Sequence, residues 1–230
     1  MSAKAMKIRV LKINPAKVSP QAIRVIAGVL SKDGIIVYPT ETFYGLGANG
    51  LSPEAVRRIF DIKARPGSKG LPVLVSDLKM AEGLAAELPA AFPGLAARFW
   101  PGPLTLVLRA ARHLPQELVG PGRTIGIRFP AVAWLQSLIR KAGFALVTTS
   151  ANISGQGEIA SAEEVKRLFA GKVDLIVDGG ETPGSQPSTV VDLTGEKPVL
   201  VREGLIGMGE LQEFLNPRAR QARCHRGTML

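Results

Sequence analysis

The chain has 230 residues, a length that suits one domain around a single core and argues against a second independent one. Its 46% apolar residues fall in short runs, not in the ~20-residue stretch that crosses a bilayer, and Met1 to Arg9 shows no apolar secretion signal, so a cytoplasmic protein without a membrane span is expected. A formal charge of +10 at pH 7 favours polyanionic partners such as nucleotides, RNA or phosphate without choosing among them.

In chain order, Ile8 to Ile13 reads as a strand. Ser19-Pro20-Gln21 opens a helix whose Ile23, Ile26, Ala27 and Leu30 recur at helical spacing until Asp33-Gly34 stops it. Gly34 to Tyr38 is a buried-type strand, and Pro39 to Gly50 a loop. Ser52 caps the next helix, with Pro53 at its first position. Leu71 to Val75 is a strand, Leu78 to Leu88 and Ala91 to Phe99 are helical, and Leu104 to Leu108 returns to strand. Further strands are expected over Thr124 to Phe129, Ala145 to Thr149, Leu175 to Val177, Thr189 to Leu193 and Val199 to Arg202, with helices over Ala131 to Lys141 and Ala162 to Leu168. The alternation is α/β, and the closeness of the last two strands demands some antiparallel pairing. A twisted mixed parallel and antiparallel sheet flanked by helices is therefore expected over residues 7–215. The basic stretch 216–230 has no apolar period and is expected to be a disordered tail.

Several chemistries are disfavoured. Cys224 is the only cysteine, so neither a disulfide framework nor a thiolate metal cluster can be built within the chain. His113 and His225 are the only histidines, without the spacing of a zinc motif, and a Ser-His-Asp enzyme would have to use His113. Gly45-Leu46-Gly47-Ala48-Asn49-Gly50 matches the dinucleotide fingerprint formally. Its context is wrong, because Pro39 to Tyr44 separate strand from glycines and the helix starts only at Ser52.

Four segments remain. In Lys63-Ala64-Arg65-Pro66-Gly67-Ser68-Lys69-Gly70, Pro66 biases Arg65 away from the α region, so that Lys63 and Arg65 can turn toward one polyphosphate; a solvated helix end with cations favoured by the dipole explains the same residues. In Thr124-Ile125-Gly126-Ile127-Arg128, period two puts Thr124, Gly126 and Arg128 on one face, leaving room for a small anion unless that face simply meets solvent. Thr148, Ser150 and Asn152 would project to one side at the end of an apolar strand, although Ser, Asn and Gly also form turns. Ser188-Thr189-Val190-Val191-Asp192 and Arg202-Glu203-Gly204 flank a turn at Thr194-Gly195, where Arg202 can reach over a sheet edge.

Taken in order, Pro39-Thr40-Glu41-Thr42-Phe43-Tyr44-Gly45-Leu46, Lys63-Ala64-Arg65, Ser150-Ala151-Asn152, Ser188 to Asp192 and Arg202-Glu203-Gly204 resemble the YrdC/TsaC family from about Lys7 to about Leu215. The resemblance implies a YrdC-like fold and a nucleotidyltransferase that condenses L-threonine, bicarbonate and ATP to threonylcarbamoyl-AMP and pyrophosphate, for threonylcarbamoyladenosine modification of tRNA. It further implies ATP near Lys63, Arg65, Thr124, Ser150, Asn152 and Arg202, and threonine near Thr40, Arg128, Thr148 and Ser188. Of these, Lys63, Arg65, Ser150 and Asn152 are the expected catalytic group. Mg²⁺ would be held mainly by the nucleotide, since no acidic cluster offers a cage and no metal ligand is assigned. Longer family members carry a further C-terminal domain, so the short form is indicated. The loop Gln156-Gly157-Glu158 departs from the family pattern and receives no ligand contact. Transient contact with tRNA or a threonylcarbamoyl-transferase complex is compatible with the charge. Two other readings stay open: an RNA-binding module without catalysis, and the carbamoyl-adenylate domain of hydrogenase-maturation proteins.

Overall fold

The computed structural model describes residues 9–64, 70–152, 157–184 and 186–215. Two mixed sheets form, where one is expected. The first runs β1 (Val10–Lys12), β9 (Leu175–Asp178), β2 (Ile36–Pro39), β3 (Tyr44–Gly47), β8 (Thr149–Ser150). The second runs β11 (Val199–Arg202), β10 (Thr189–Asp192), β5 (Leu104–Arg109), β6 (Thr124–Arg128), β4 (Val73–Leu74), β7 (Leu146–Val147). The stretch expected as one strand over residues 145–149 is split at Thr148, whose N–H donates to Pro72 O at 2.9 Å. Its first half, β7, pairs antiparallel with β4, and its second, β8, with β3, so this stretch hands the chain from one sheet to the other.

Helices α1 (Pro20–Leu30), α2 (Pro53–Lys63), α3 (Leu78–Leu84), α4 (Phe92–Phe99), α5 (Ala133–Ala142), α6 (Ala162–Phe169) and α7 (Met208–Leu215) complete the chain. The Ser19 and Ser52 hydroxyls accept from Ala22 N and Ala55 N, each at 3.2 Å, and Pro20 and Pro53 sit where a missing N–H costs nothing. Strand β2 is buried on both faces: Ile36 and Tyr38 pack with α1 and α5, while Val37 joins the larger core with α2, α4 and α6. Ile26 and Leu30 of α1 are fully buried, each contributing about 1.5–3 kcal/mol. No helix among the described residues is long and apolar enough to cross a membrane.

Three elements differ from expectation for identifiable reasons. The loop Pro39 to Gly50 contains β3, antiparallel to β2, and its glycines are what let it pair: a Cβ at Gly47 would lie 2.7 Å from the Tyr38 ring. Helix α3 stops at Leu84 because Ala86 N and Ala111 N bond across to Arg109 O and Leu84 O, at 2.8 and 2.9 Å. Helix α7 was given no signal strong enough to read, and it is held by tertiary contacts: Leu211 is buried, and Phe214 meets Phe99 edge-on at 5.9 Å. The tail 216–230 lies outside the described residues.

Candidate active site

A cavity of about 550 Å³ opens where the two sheets meet. Thr40, Thr124, Arg128, Thr148, Ser150, Ser188 and Arg202 all line it. Strand β6 brings Arg128 there by the expected alternation: Ile125 and Ile127 are buried, while Thr124, Gly126 and Arg128 face the cavity. The Arg128 side chain is only 11% exposed. Its Nε donates to Gly102 O at 3.0 Å, and Nη2 pairs with the Glu41 carboxylate. Burial draws the guanidinium down to about 10, which leaves it charged at neutral pH.

The hydroxyls differ in what they have left to give. Thr40 Oγ1 donates to Phe43 O at 2.7 Å and accepts from Thr42 N at 3.1 Å, so it is committed to its own turn, and Thr42 Oγ1 lies 3.0 Å away. Thr148 Oγ1 accepts from Tyr38 Oη at 2.9 Å. Burial pushes the Tyr38 phenol up to about 12, so it remains the donor and Thr148 keeps its proton for the cavity. Ser150 Oγ donates to Asn152 Oδ1 at 2.8 Å, and Thr124 Oγ1 donates to Pro121 O at 3.2 Å. Arg202 binds Ser188 O through Nε and Nη2 at 3.1 and 2.8 Å, and Ser188 Oγ through Nη2 at 3.2 Å.

Lys63 and Asn152 do not line the cavity; they brace its wall. Lys63 is 3% exposed, and its Nζ donates to Ser150 O at 2.6 Å, Asn152 Oδ1 at 2.8 Å and Asn152 O at 2.9 Å. Helix α2 ends one residue before the expected exit at Arg65, through Ala64 in the left-handed region at φ 47°. Arg65 itself, with the rest of 65–69, lies outside the described residues. Gly70 rejoins the wall so closely that a Cβ there would sit 2.3 Å from Gly120 N.

Sequence reasoning passed over three lining or facing groups. Thr105 is buried within an apolar run that reads only as core, Glu158 sits in the loop given no contact, and Glu41 belongs to the first motif but had no assigned task. Among the described residues no group of three or more His, Cys, Asp or Glu could hold a metal, and Glu158 is the single carboxylate in the lining. These residues do not form a Mg²⁺ cage.

The Sua5/YciO/YrdC family model, described as "Telomere recombination", matches residues 28–204. The chain belongs to the Sua5/YciO/YrdC family. Over 193 residues it is 42% identical to threonylcarbamoyl-AMP synthase of Pyrococcus abyssi, covering 84% of this chain and 57% of that protein. Over 192 residues it is 36% identical to threonylcarbamoyl-AMP synthase of Bacillus subtilis, covering 83% of this chain and 56% of that protein. The chain thus spans a little over half the length of these two relatives. The crystal structure of Pyrococcus abyssi Sua5 complexed with L-threonine superposes with a TM-score of 0.84 at 38% identity, over 92% of this chain and 61% of that one. The YrdC-like fold of mixed sheets flanked by helices is therefore the family's fold.

Proposed function

We propose that this chain is an L-threonylcarbamoyladenylate synthase, condensing L-threonine, bicarbonate and ATP to threonylcarbamoyl-AMP and pyrophosphate, which feeds threonylcarbamoyladenosine modification of tRNA. The observation that carries the reading is Arg128: a nearly buried cation inside the cavity that already holds a carboxylate, that of Glu41. A free amino acid offers the same group, and the relatives named for this reaction, one of them seen with L-threonine, support the assignment.

In this reading Arg128 takes the threonine carboxylate, displacing Glu41, and Thr148 and Ser188 present hydroxyls beside it, with Thr40 fixing the turn that shapes the pocket. ATP lies toward Thr124, Ser150 and Arg202, with Lys63 and Asn152 bracing that wall; Arg65 joins the ATP-binding set on the strength of its motif alone. The threonine amine attacks the bicarbonate-derived carbon and water leaves; a carbamate oxygen then attacks the α-phosphorus and pyrophosphate leaves. No side chain is placed as a covalent nucleophile, and positioning and charge neutralisation supply the catalysis. Mg²⁺ would be held by the nucleotide's phosphates, where it would neutralise their charge. Contact with tRNA or a transferase complex, and residence in the cytoplasm, are parts of the same proposal.

Incubation with ATP, bicarbonate and labelled threonine should yield labelled adenylate and pyrophosphate only when all three are present. Pyrophosphate release at an equal rate without threonine would refute it. Valine should be rejected far more strongly than serine, because a site that hydrogen-bonds a hydroxyl discriminates against its absence by up to ~10⁴, whereas a lost methyl group costs only ~1–3 kcal/mol.

A further inference from the structure

Thr105 sits in the cavity floor with a role in neither the motifs nor the core. The antiparallel register of β5 on β6 pairs Leu106 with Ile127, so one step on, Thr105 lies beside Arg128 on the cavity face. On its other side Thr105 Oγ1 is 3.1 Å from Ser188 Oγ, and Ser188 Oγ accepts from Arg202 Nη2. Four side chains therefore run across one sheet face in the order Arg128, Thr105, Ser188, Arg202. The Thr105 methyl lies on the Gly126 side, 3.3 Å from where a Cβ there would be, while its hydroxyl meets Ser188.

Each hydroxyl has one proton to give. The bond between Thr105 and Ser188 uses one of their two, and among the described residues neither hydroxyl has a protein acceptor for the other. Because a cation donates into Ser188, its O–H is polarised and is the better donor of the pair, which leaves Thr105 with the unspent proton. That proton faces the cavity beside the Arg128 guanidinium, which pairs with a carboxylate.

We infer that Thr105 is a binding residue for the amino-acid substrate: the chain Arg202 to Ser188 to Thr105 ends in a hydrogen bond donated to the carboxylate held by Arg128. The inference rests on the synthase reading and deepens it. Thr105→Val keeps the shape but removes the terminal donor. It should raise the KM for threonine about tenfold or more, leave the KM for ATP unchanged, and raise the KM for serine by the same factor, because both substrates carry the carboxylate. Thr105→Ser should stay within about threefold of wild type. Thr105→Ala carries the same expectation as Thr105→Val should the latter not fold, with folding read from thermal unfolding. A threonine KM within twofold of wild type in the hydroxyl-deleting variant, with Ser188→Ala strongly impaired, would show that Ser188 donates directly and would overturn the inference. Loss of the preference for threonine over valine would overturn it too, by showing that the substrate hydroxyl is what Thr105 reads. Wild-type protein that makes no threonylcarbamoyl-AMP would remove the synthase reading and this inference together, whereas the preceding two outcomes leave that reading intact.

Discussion

Arg128 and Lys63 are both buried cations drawn from the same set of motifs, yet their surroundings assign them opposite tasks. Arg128 faces a cavity and pairs with one carboxylate, that of Glu41. Lys63 faces backbone: its ammonium ties the end of α2 to Ser150 and Asn152, 87 and 89 residues away along the chain. One cation faces open space, and the other fixes a wall of the cavity. Residue type in a motif identifies neither task; the acceptor does.

The contrast is sharpest under deletion. Lys63→Met removes the ammonium from which three part-buried oxygens accept; Ser150 O keeps Asn152 N and Asn152 Oδ1 keeps Ser150 Oγ as donors, so what is lost is charge-assisted hydrogen bonding, offset in part by relief of the buried charge. A net loss of about 2–4 kcal/mol is expected, seen as a fall in Tm of roughly 5–15 °C, with activity lost as Ser150 and Asn152 shift. Arg128→Ala should behave the other way. Losing a charge-assisted bond to a carboxylate is worth about 1.5–3 kcal/mol, so the KM for threonine should rise about ten- to a hundredfold while Tm falls less than in the Lys63 variant. Thermal melts and threonine titrations of the two variants side by side decide it; a larger Tm loss in the Arg128 variant would reverse the assignment.

The same contrast explains how much was legible in the sequence. The position of Arg128 was readable because a period-two strand states its own faces, and Ile125, Ile127 and the polar residues between them announce which side faces the cavity. The α/β order, the Ser-Pro helix starts and the antiparallel β10 and β11 pair were legible for the same local reason. What tertiary contact decides was not. The acceptors of Lys63 lie in a distant segment, β3 can pair with β2 only because Gly47 leaves room for the Tyr38 ring, and Thr105 hides in a run that β-periodicity marks only as buried. Two sheets appear where one was expected because the pairing of β7 and β8 changes partner at a single residue, Thr148, which no local pattern encodes.

Tyr38 gives the comparison its finest test, since it is a buried polar group that serves the cavity without facing it. Its phenol donates to Thr148 at 2.9 Å and is held up to about 12 by burial, against an ordinary 10. Between those two values the folded chain keeps a proton that the unfolded chain has lost, so stability from this group is complete below pH 10 and falls as pH rises toward 12. The limb amounts to on the order of 2–3 kcal/mol. Tyr38→Phe abolishes the titration and, at neutral pH, removes one hydrogen bond worth about 1 kcal/mol. The variant should therefore be slightly less stable than wild type at pH 7 but show a flatter decline between pH 10 and 12, measured by denaturant titration at each pH. Freed of its donor, Thr148 can turn its proton back toward the vacated space, so the KM for threonine should rise by less than in the Arg128 variant. An alkaline decline as steep in Tyr38→Phe as in wild type would mean that another group, such as the Tyr44 phenol that burial also raises, governs that limb.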